Sequence, residues 1–103
     1  MPALVVLFNL KTDADRAAYE DWARTTDVPT VKGLKSVDDF RVYRADSVMG
    51  SEAPPPYTYC EVIDINDMEG LGPELATETM QRVAGEFQRF ADAPVFMVSD
   101  QIA

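Results

Sequence analysis

This sequence contains no histidine, so any catalysis must depend on carboxylates, tyrosine phenols, arginine or lysine side chains, or a cofactor. Without an imidazole, it lacks a Ser-His or Cys-His nucleophile pair and a His-bearing zinc site. The single cysteine, Cys60, stands in an apolar run typical of a strand, and we expect a buried, inert thiol there. A metal site would need several converging carboxylates, and no segment has that spacing. We therefore predict no metal site.

Glu61 is the first candidate for acid and base chemistry, because strand alternation places it on one face with Tyr57 and Tyr59. Burial in a cleft would raise the pKa of its carboxyl group toward the range in which it can take and return protons. The phenols of Tyr43 and Tyr59 could orient or protonate a substrate. We predict Glu61, Tyr59 and Tyr43 as catalytic residues. The alternatives are a solvated cross-strand ion pair for Glu61 and packing or edge hydrogen bonds for the tyrosines.

Four further residues are predicted to bind a substrate, namely Asn9, Trp22, Arg41 and Asp27. Asn9 is the one polar residue in an apolar strand, and a buried amide must be paired or bind a ligand. Trp22 could stack on a flat ring, and Arg41 could hold a substrate carboxylate by a two-pronged contact. The alternatives for Asn9 and Trp22 are a strand-end hydrogen bond and core packing. Those for Arg41 and Asp27 are a surface ion pair and a helix cap.

Strands and helices alternate along the chain in an order that could bring these side chains together. Apolar or alternating runs predict strands at 3–10, 37–45, 57–65 and 95–98. Helical spacing predicts a helix at 14–26, a short second helix within 27–34, and a main helix that begins near 73 or 77 and ends before Pro94. The segment 46–56, which ends in three prolines, is predicted as a loop, and a turn or short helix follows Asp67.

This order of elements predicts the α+β class, as a ferredoxin-like β-α-β-β-α-β plait in one domain, 1–103, with both helices on one face of a four-stranded antiparallel sheet. The first strand is apolar on both sides, with Leu4 and Phe8 on one face and Val5 and Leu7 on the other. The second face therefore needs a cover, and a second copy of the sheet is the simplest one. We predict a face-to-face homodimer, a dimeric α+β barrel.

Composition narrows the range of partners. The chain has 103 residues, with 18 acidic against 9 basic side chains and a net charge of −9. An acidic surface repels a phosphate backbone, so we predict no nucleic-acid partner. The longest apolar run is far shorter than the roughly 20 residues that cross a bilayer, and no secretory leader pattern is visible. We expect a soluble, cytoplasmic protein without a membrane partner.

Several strings in this sequence are similar to those of one protein family. They are WA at 22–23, TDVPTV at 26–31, FRVYR at 40–44, APPPY at 53–57, MQRVAGEF at 80–87 and FAD at 90–92. In this order and spacing they resemble the RedY-like family, most closely its HapK-type members of prodigiosin-type pigment pathways. The resemblance covers nearly the whole chain. It implies a ferredoxin-like fold, a dimeric barrel, and a role in bacterial pyrrole or indole pigment biosynthesis without a bound redox cofactor.

Three functions fit these observations. The first is a tailoring protein that binds a bipyrrole-like aromatic intermediate in a cleft and assists a cofactor-independent proton transfer, cyclisation or decarboxylation. The second is a non-catalytic carrier or chaperone of a pigment precursor, which the absence of histidine favours mildly. The third is a cofactor-free monooxygenase, by analogy of fold alone. In each case the expected ligand is a small pyrrole-type or indole-type aromatic molecule.

Overall fold

The computed structural model describes residues 2–103, which form a four-stranded sheet with helices on one side. The strands are β1 (Pro2–Leu10), β2 (Val37–Arg44), β3 (Tyr59–Ile65) and β4 (Ala91–Asp100). The helices are α1 (Arg16–Trp22), α2 (Val28–Lys32), α3 (Met68–Leu75) and α4 (Glu78–Phe90), and a π-helical segment, Ala23–Asp27, joins α1 to α2. Within residues 2–103, no helix has the length and apolar character that crossing a membrane requires.

The sheet has the strand order β2-β3-β1-β4, and every neighbouring pair is antiparallel. With its helical crossovers this is the ferredoxin-like plait, so the predicted α+β fold class is confirmed. Val6 lies opposite Glu61, and Phe8 lies opposite Tyr59. Strand alternation places these four side chains on the face that the helices cover, which we call the helix face. The other side of the sheet is the open face.

Two apolar clusters fill the space between the helices and the sheet. In the first, the ring of Phe8 meets Tyr19 and Phe87 edge-on, with centroids 5.5 Å and 5.0 Å away. The second cluster consists of six buried residues, Val31, Val37, Phe40, Ile65, Leu71 and Met80. The aromatic cluster holds α1 and α4 against β1, and the aliphatic cluster holds α2 and α3 against β2 and β3.

The first helical stretch differs from the prediction of two helices separated near residue 27. Helical backbone runs unbroken from Arg16 to Lys32, with the π-helical segment in its middle. Asp27 has φ −65° and ψ −59°, and its side chain makes no capping hydrogen bond. A cap is not needed there, because the N–H groups already bond within the continuous helix. The helix-cap alternative for Asp27 is therefore wrong.

Strand β4 is longer than predicted, because it begins at Ala91, directly after α4. Ala93 has φ 44°, a conformation that non-glycine residues adopt rarely, and it stands just before Pro94. The register between β1 and β4 shifts at the same place, between Leu7 and Asn9. This irregularity leads the chain from the helix directly into the sheet, a feature that Pro94 and the weak pattern at 91–94 conceal from sequence reasoning.

Candidate active site

A cavity of about 240 Å³ lies between the helices and the helix face of the sheet. We call it the carboxyl cavity, because two acidic side chains, Asp27 and Glu61, interrupt an otherwise apolar lining. The apolar part includes Leu4, Phe40, Ile63, Met80, Val83 and Phe87. An apolar pocket with a few converging polar groups is the usual form of a small-molecule site.

Glu61 reaches this cavity from β3, where it lies opposite Val6 on one side and Val42 on the other. Only 4% of the residue is exposed. Its Oε2 accepts one hydrogen bond, from the hydroxyl of Tyr19 at 3.4 Å. Burial, and then the nearby charge of Asp27, raise the pKa of Glu61 to about 8, and the bond from Tyr19 offsets part of this rise.

Asp27 enters the cavity from the last residue of the π-helical segment and is 5% exposed. None of the hydrogen bonds or ion pairs among residues 2–103 involves its carboxylate. Burial raises the pKa of Asp27 to about 7. Asp27 lies on the buried side of this helical stretch, which it shares with Tyr19 and Ala23.

Tyr19 is the hydrogen-bond donor of the site. Its ring is fully buried and contacts Tyr59 and Phe90 with centroids 4.8 Å and 5.6 Å away. Burial, followed by the charge of Glu61, raises the pKa of the phenol above its ordinary value. The hydroxyl therefore stays protonated and keeps donating to Glu61.

The chemical capacity of the carboxyl cavity follows from its two acids. Both pKa values lie near neutral, so at pH 7 the pair of Asp27 and Glu61 holds a proton and still carries negative charge. Such a pair can both accept and donate a proton, which is the requirement for general acid and base catalysis. Over residues 2–103, no three His, Cys, Asp or Glu side chains converge closely enough to hold a metal ion.

A second tyrosine and glutamate pair lies at a separate, open groove of about 560 Å³ on the same side of the sheet. The hydroxyl of Tyr59 donates to Oε2 of Glu20 at 2.7 Å, and Arg44 donates to both carboxylate oxygens of Glu20 at 2.9 Å. The bonds from Tyr59 and Arg44 lower the pKa of Glu20. Burial, and then Glu20, raise the pKa of Tyr59 to about 12. Tyr59, predicted as catalytic, thus has its hydroxyl at the groove, where Glu20 accepts its hydrogen bond.

Arg41 and Tyr43 lie on the opposite face of the sheet from Glu61. Their partners across β3 are Val62 and Cys60, the two neighbours of Glu61, and alternation points these away from the cavity. Arg41 donates to Asp39 at 2.7 Å and to Asp64 at 3.1 Å, which is the surface ion pair considered as its alternative. The residue Tyr43 is 54% exposed and borders the groove. The structure therefore separates both residues from the carboxyl cavity, and Arg41 has no route to a ligand bound there.

Asn9 is bonded to the chain segment that follows the three prolines. Its Nδ2 donates to the carbonyl of Pro56 at 3.1 Å, and its Oδ1 accepts from the backbone N–H and the hydroxyl of Thr58, both at 2.9 Å. This amide is the strand-end hydrogen bond that was considered as the alternative to ligand binding. It holds Tyr57 and Thr58 out of the strand, so β3 begins two residues later than predicted.

Trp22 packs on the aromatic cluster. Its ring lies 6.4 Å from Phe87 and 5.5 Å from Phe90 between centroids, and its indole N–H donates to Glu86 at 3.3 Å. It is half-buried and does not line the carboxyl cavity. The core-packing alternative describes these contacts, and Trp22 links α1 to α4.

The open face of the sheet is apolar at its centre. Val5, Leu7 and Val62 are half-buried there, and Val95 and Met97 are 41% and 38% exposed. Cys60 shares this face and is half-buried, and burial raises the pKa of its thiol. The charged side chains of this face lie at one end, where Arg41 is paired with its two aspartates.

Comparison with known proteins assigns the chain to a family. The profile of the family described as REDY-like protein HapK matches residues 2–102. The chain belongs to this HapK family. No protein with curated annotation matches it significantly.

Solved structures share the fold of this HapK-family protein. The crystal structure of HapK from Hahella chejuensis is 29% identical, and the alignment covers 99% of this chain and 93% of that one with a TM-score of 0.77. The protein At3g17210 of Arabidopsis thaliana has a TM-score of 0.82 at 14% identity, over 100% and 97% of the two chains. A dimeric ferredoxin-like protein of Thermobifida fusca has a TM-score of 0.75 at 10% identity, over 97% and 90%. The last two are similar in fold alone.

Sequence reasoning about this HapK-family chain missed Tyr19 as a polar member of the site. Tyr19 belongs to the apolar stripe of the first helix, where a large aromatic residue is usually core. A signal was available, since Glu61 is the one acidic residue among Tyr59, Ile63 and Ile65 on a buried strand face and requires a donor. A tyrosine on the helix stripe that covers this face is the natural source of that donor.

Proposed function

We propose that this protein is a small tailoring protein of prodigiosin-type pyrrole pigment biosynthesis. In this proposal it binds a bipyrrole-like aromatic intermediate in the carboxyl cavity and assists a cofactor-independent step by proton transfer. Membership of the HapK family supports the pathway, and the form of the cavity supports the ligand and the chemistry. The step is a proton transfer, or a cyclisation or decarboxylation that depends on one.

The observation that carries this proposal is the pair of acids, Asp27 and Glu61, in an apolar cavity. With pKa values of about 7 and about 8, the two groups are matched to proton transfer at neutral pH. The ionised carboxylate takes a proton from a ring carbon or nitrogen of the intermediate, and the protonated carboxyl returns one to another atom. The number of protons on the pair is then the same before and after the reaction.

The size of the cavity supports a small ligand. Its volume of about 240 Å³ is below the roughly 300 to 1,000 Å³ of pockets for drug-sized molecules, which favours one or two small rings. The rings of Phe40, Phe87 and Phe96 line it, and flat aromatic ligands pack well on such walls.

The proposal leaves out five of the residues that the sequence suggested. Four have their polar groups engaged elsewhere, namely Asn9, Trp22, Arg41 and Tyr59. The fifth, Tyr43, is exposed and lies on the face of the sheet away from Glu61. It keeps Glu61 in its predicted role as acid and base. Asp27 changes from a substrate-binding residue to the second acid of the pair, and Tyr19 is added as the group that holds Glu61.

The test is incubation of the purified protein with pyrrole and bipyrrole intermediates without any cofactor, followed by mass spectrometry of the products and native mass spectrometry of the protein. A product that differs by carbon dioxide or water, or an isomer of the same mass, is expected. We expect Glu61→Gln to lower turnover by about 100-fold, which is typical of the loss of a general acid or base. Glu20→Gln removes the other tyrosine-bonded glutamate and serves as the matched control, with turnover unchanged.

Other outcomes of this test would overturn the proposal. An unchanged ligand that stays bound would make the protein a carrier, and a product formed only with oxygen would make it a monooxygenase. An empty, inactive protein would contradict the ligand class. Equal activity of Glu61→Gln and the wild type would remove the carboxyl pair from the chemistry.

A homodimer through the open face is the second part of the proposal. The apolar centre of that face around Val5, Leu7 and Val62 supports it, and one protein of the same fold, from Thermobifida fusca, is described as dimeric. We expect Val62→Asp to convert dimers to monomers in light scattering after gel filtration, because it buries a charge in the interface. Gln88→Asp, on the exposed surface of α4, is the control. A wild-type monomer, or a Val62→Asp dimer, would contradict this assignment.

A further inference from the structure

We infer that the carboxyl cavity selects planar aromatic cations that carry N–H donors and rejects aromatic carboxylates, an inference that rests on the proposed function in placing the ligand there. It adds the charge and the hydrogen-bonding pattern of the ligand, which the pathway does not specify. The first support is an unpartnered acid. Asp27 is 5% exposed, lines the cavity, and has no hydrogen bond or ion pair within residues 2–103.

The polar atoms of the cavity favour a ligand that donates hydrogen bonds. Ionised carboxylates only accept, and the hydroxyl of Tyr19 is already committed to Oε2 of Glu61. The remaining oxygens of Glu61 and Asp27 are therefore acceptors that await donors. No buried side-chain oxygen among residues 2–103 lacks a partner, so these acceptors keep some contact with solvent. A ligand with N–H groups supplies donors to them in place of water.

The charges of the cavity favour a cationic ligand. The titratable residues that line it are Asp27, from the π-helical segment, and Glu61, from β3. Tyr19 lines the groove and meets the cavity only through the hydrogen bond of its hydroxyl to Glu61. The other lining side chains, including those from β1, β2, β4, α2, α3 and α4, are apolar. No lysine or arginine among residues 2–103 lines it. A buried negative charge without a counter-ion favours a positively charged ligand, and a carboxylate ligand would add another like charge.

The two arginines of β2 do not change this balance. Arg44 is engaged by Glu20 and Asp46 at the groove, and Arg41 by Asp39 and Asp64 on the open face. Neither lines the cavity. The aromatic walls add to the preference, because a cation over the face of a phenylalanine ring is attracted to it.

Binding of a cation in the cavity is linked to the release of protons from Asp27 and Glu61. A bound cation stabilises the ionised carboxylates, so it lowers their pKa and releases protons. Both acids release their protons as the pH rises toward 8, so the affinity for a cation that keeps its charge rises over the same interval. Binding of a neutral molecule of the same shape lacks this release.

The experiment uses three isosteric probes and the full-length protein. Benzamidine, benzamide and benzoate share one ring and one planar head group but are positive, neutral and negative. Isothermal titration at about pH 5.5 and about pH 8, in two buffers with different ionisation enthalpies, measures affinity and proton release. We expect benzamidine to bind about tenfold more tightly at the higher pH, with release of about one proton, and about tenfold more tightly than benzamide there. Benzoate should not bind.

Methyl NMR locates the probe, since Val83, Ile63 and Leu71 line the cavity whereas Val28 and Val42 line the groove. The double variant Asp27→Asn with Glu61→Gln should lose the affinity for benzamidine and its pH dependence, and Glu20→Gln should retain both. Should the double variant fail to fold, the three probes on the wild type decide by themselves. Benzoate binding as tightly as benzamidine, benzamidine binding independent of pH, or shifts confined to the groove would each overturn the inference.

The two proposals fail separately. If benzamidine binds as expected and the bipyrrole intermediates remain unchanged, the ligand class holds and the proposed reaction fails. If the intermediates are converted and benzamidine does not bind, the selection for aromatic cations fails and the proposed function holds.

Discussion

Two pairs, each of a tyrosine and a glutamate, lie on the same face of the sheet. The pKa values of their glutamates are shifted in opposite directions. In the carboxyl cavity Tyr19 donates to Glu61, and at the groove Tyr59 donates to Glu20. The pKa of Glu61 is raised to about 8, whereas that of Glu20 is lowered. Glu20 has the guanidinium of Arg44 against both of its oxygens, and Glu61 has only its tyrosine. A tyrosine bond alone therefore does not keep a carboxylate ionised, and the combination of burial and the absence of a cation decides.

This difference indicates a structural role for the pair at the groove and a chemical role for the glutamate in the cavity. The pair at the groove ties α1 to β2 and β3 through a compensated charge, and it is close to the surface, where such ion pairs stabilise little. In the cavity, no cation compensates the charge of Asp27 and Glu61, and these two acids exchange protons near neutral pH. Perturbed acids in a cavity are the usual mark of a functional site.

The largest expected effect concerns stability against pH. The pKa values of Asp27 and Glu61 are raised on folding, so the folded protein binds more protons than the unfolded chain once the pH exceeds about 4. Their contribution to stability is complete below that pH and is lost as the pH rises through about 7 and about 8. We expect the free energy of unfolding to fall between pH 5 and pH 8 with a slope of up to about 1.4 kcal/mol per pH unit for each group.

Urea denaturation at several pH values measures this slope. The sequence contains no histidine, and the lowered pKa of Glu20 keeps that group ionised throughout the interval, so neither contributes. Glu61→Gln should flatten the profile and make the variant more stable than the wild type at pH 8, while Glu20→Gln keeps the wild-type slope. A wild-type stability that rises or stays constant over the interval would contradict raised pKa values in the cavity.

A cation placed at the mouth of the cavity should make Glu61 resemble Glu20. Ala84 lies on the exposed surface of α4 and lines the cavity, so Ala84→Lys can bring an ammonium group to the acids. We expect the pKa of Glu61 to fall by about 1 to 3, as carboxyl groups do beside a positive charge. Carbon-13 NMR titration of the glutamate side chains measures it, and Ala84→Gln is the uncharged control. An unchanged pKa in Ala84→Lys would speak against a lack of cations as the cause.

Removal of Asp27 separates the contribution of burial to the pKa of Glu61 from the contribution of the neighbouring charge. Burial is the first cause of the raised pKa of Glu61, and the charge of Asp27 is the second. In Asp27→Asn, the pKa of Glu61 should therefore fall and yet remain above its ordinary value of about 4.3. The same NMR titration reads the result. A return to the ordinary value would assign the whole effect to Asp27, and no change would show that the two acids do not interact.

The smallest effect is expected at the groove. Arg44→Gln removes one of the two groups that lower the pKa of Glu20, and the bond from Tyr59, the larger cause, remains. The pKa of Glu20 should rise toward its ordinary value without exceeding it, and Glu61 should titrate as in the wild type. A pKa of Glu20 above its ordinary value would mean that this pair is buried enough to behave like the one in the cavity.

Much of the fold follows from local patterns in the sequence. The recurrence of Met80, Val83 and Phe87 at helical spacing predicts α4, and the alternation around Phe40 and Val42 predicts β2. These signals survive because each element buries one face, and burial is what the pattern encodes. The start of β4 at Ala91 escapes prediction, because a helix that passes directly into a strand leaves no turn residue to mark the boundary.

The site is only half predictable. Alternation along β3 places Glu61 on the same face as its buried neighbours. Whether Arg41 shares that face depends on the pairing register of β2 and β3, which the sequence does not display. Asp27 before Val28 and Pro29 has the pattern of a helix cap, and a cap would leave its side chain at a helix end. The structure instead continues the helix through this residue, so its role as the second buried acid does not follow from the local pattern.

A pH titration of the side-chain carboxyl carbons by NMR tests the central claim most directly, namely that Asp27 and Glu61 keep a proton at neutral pH in the cavity. Two carboxyl resonances are predicted to titrate near pH 7 and pH 8, and each should be absent from the matching variant, Asp27→Asn or Glu61→Gln. If instead every carboxyl group of the protein titrates below about pH 5, the cavity holds two ordinary carboxylates and the account is wrong.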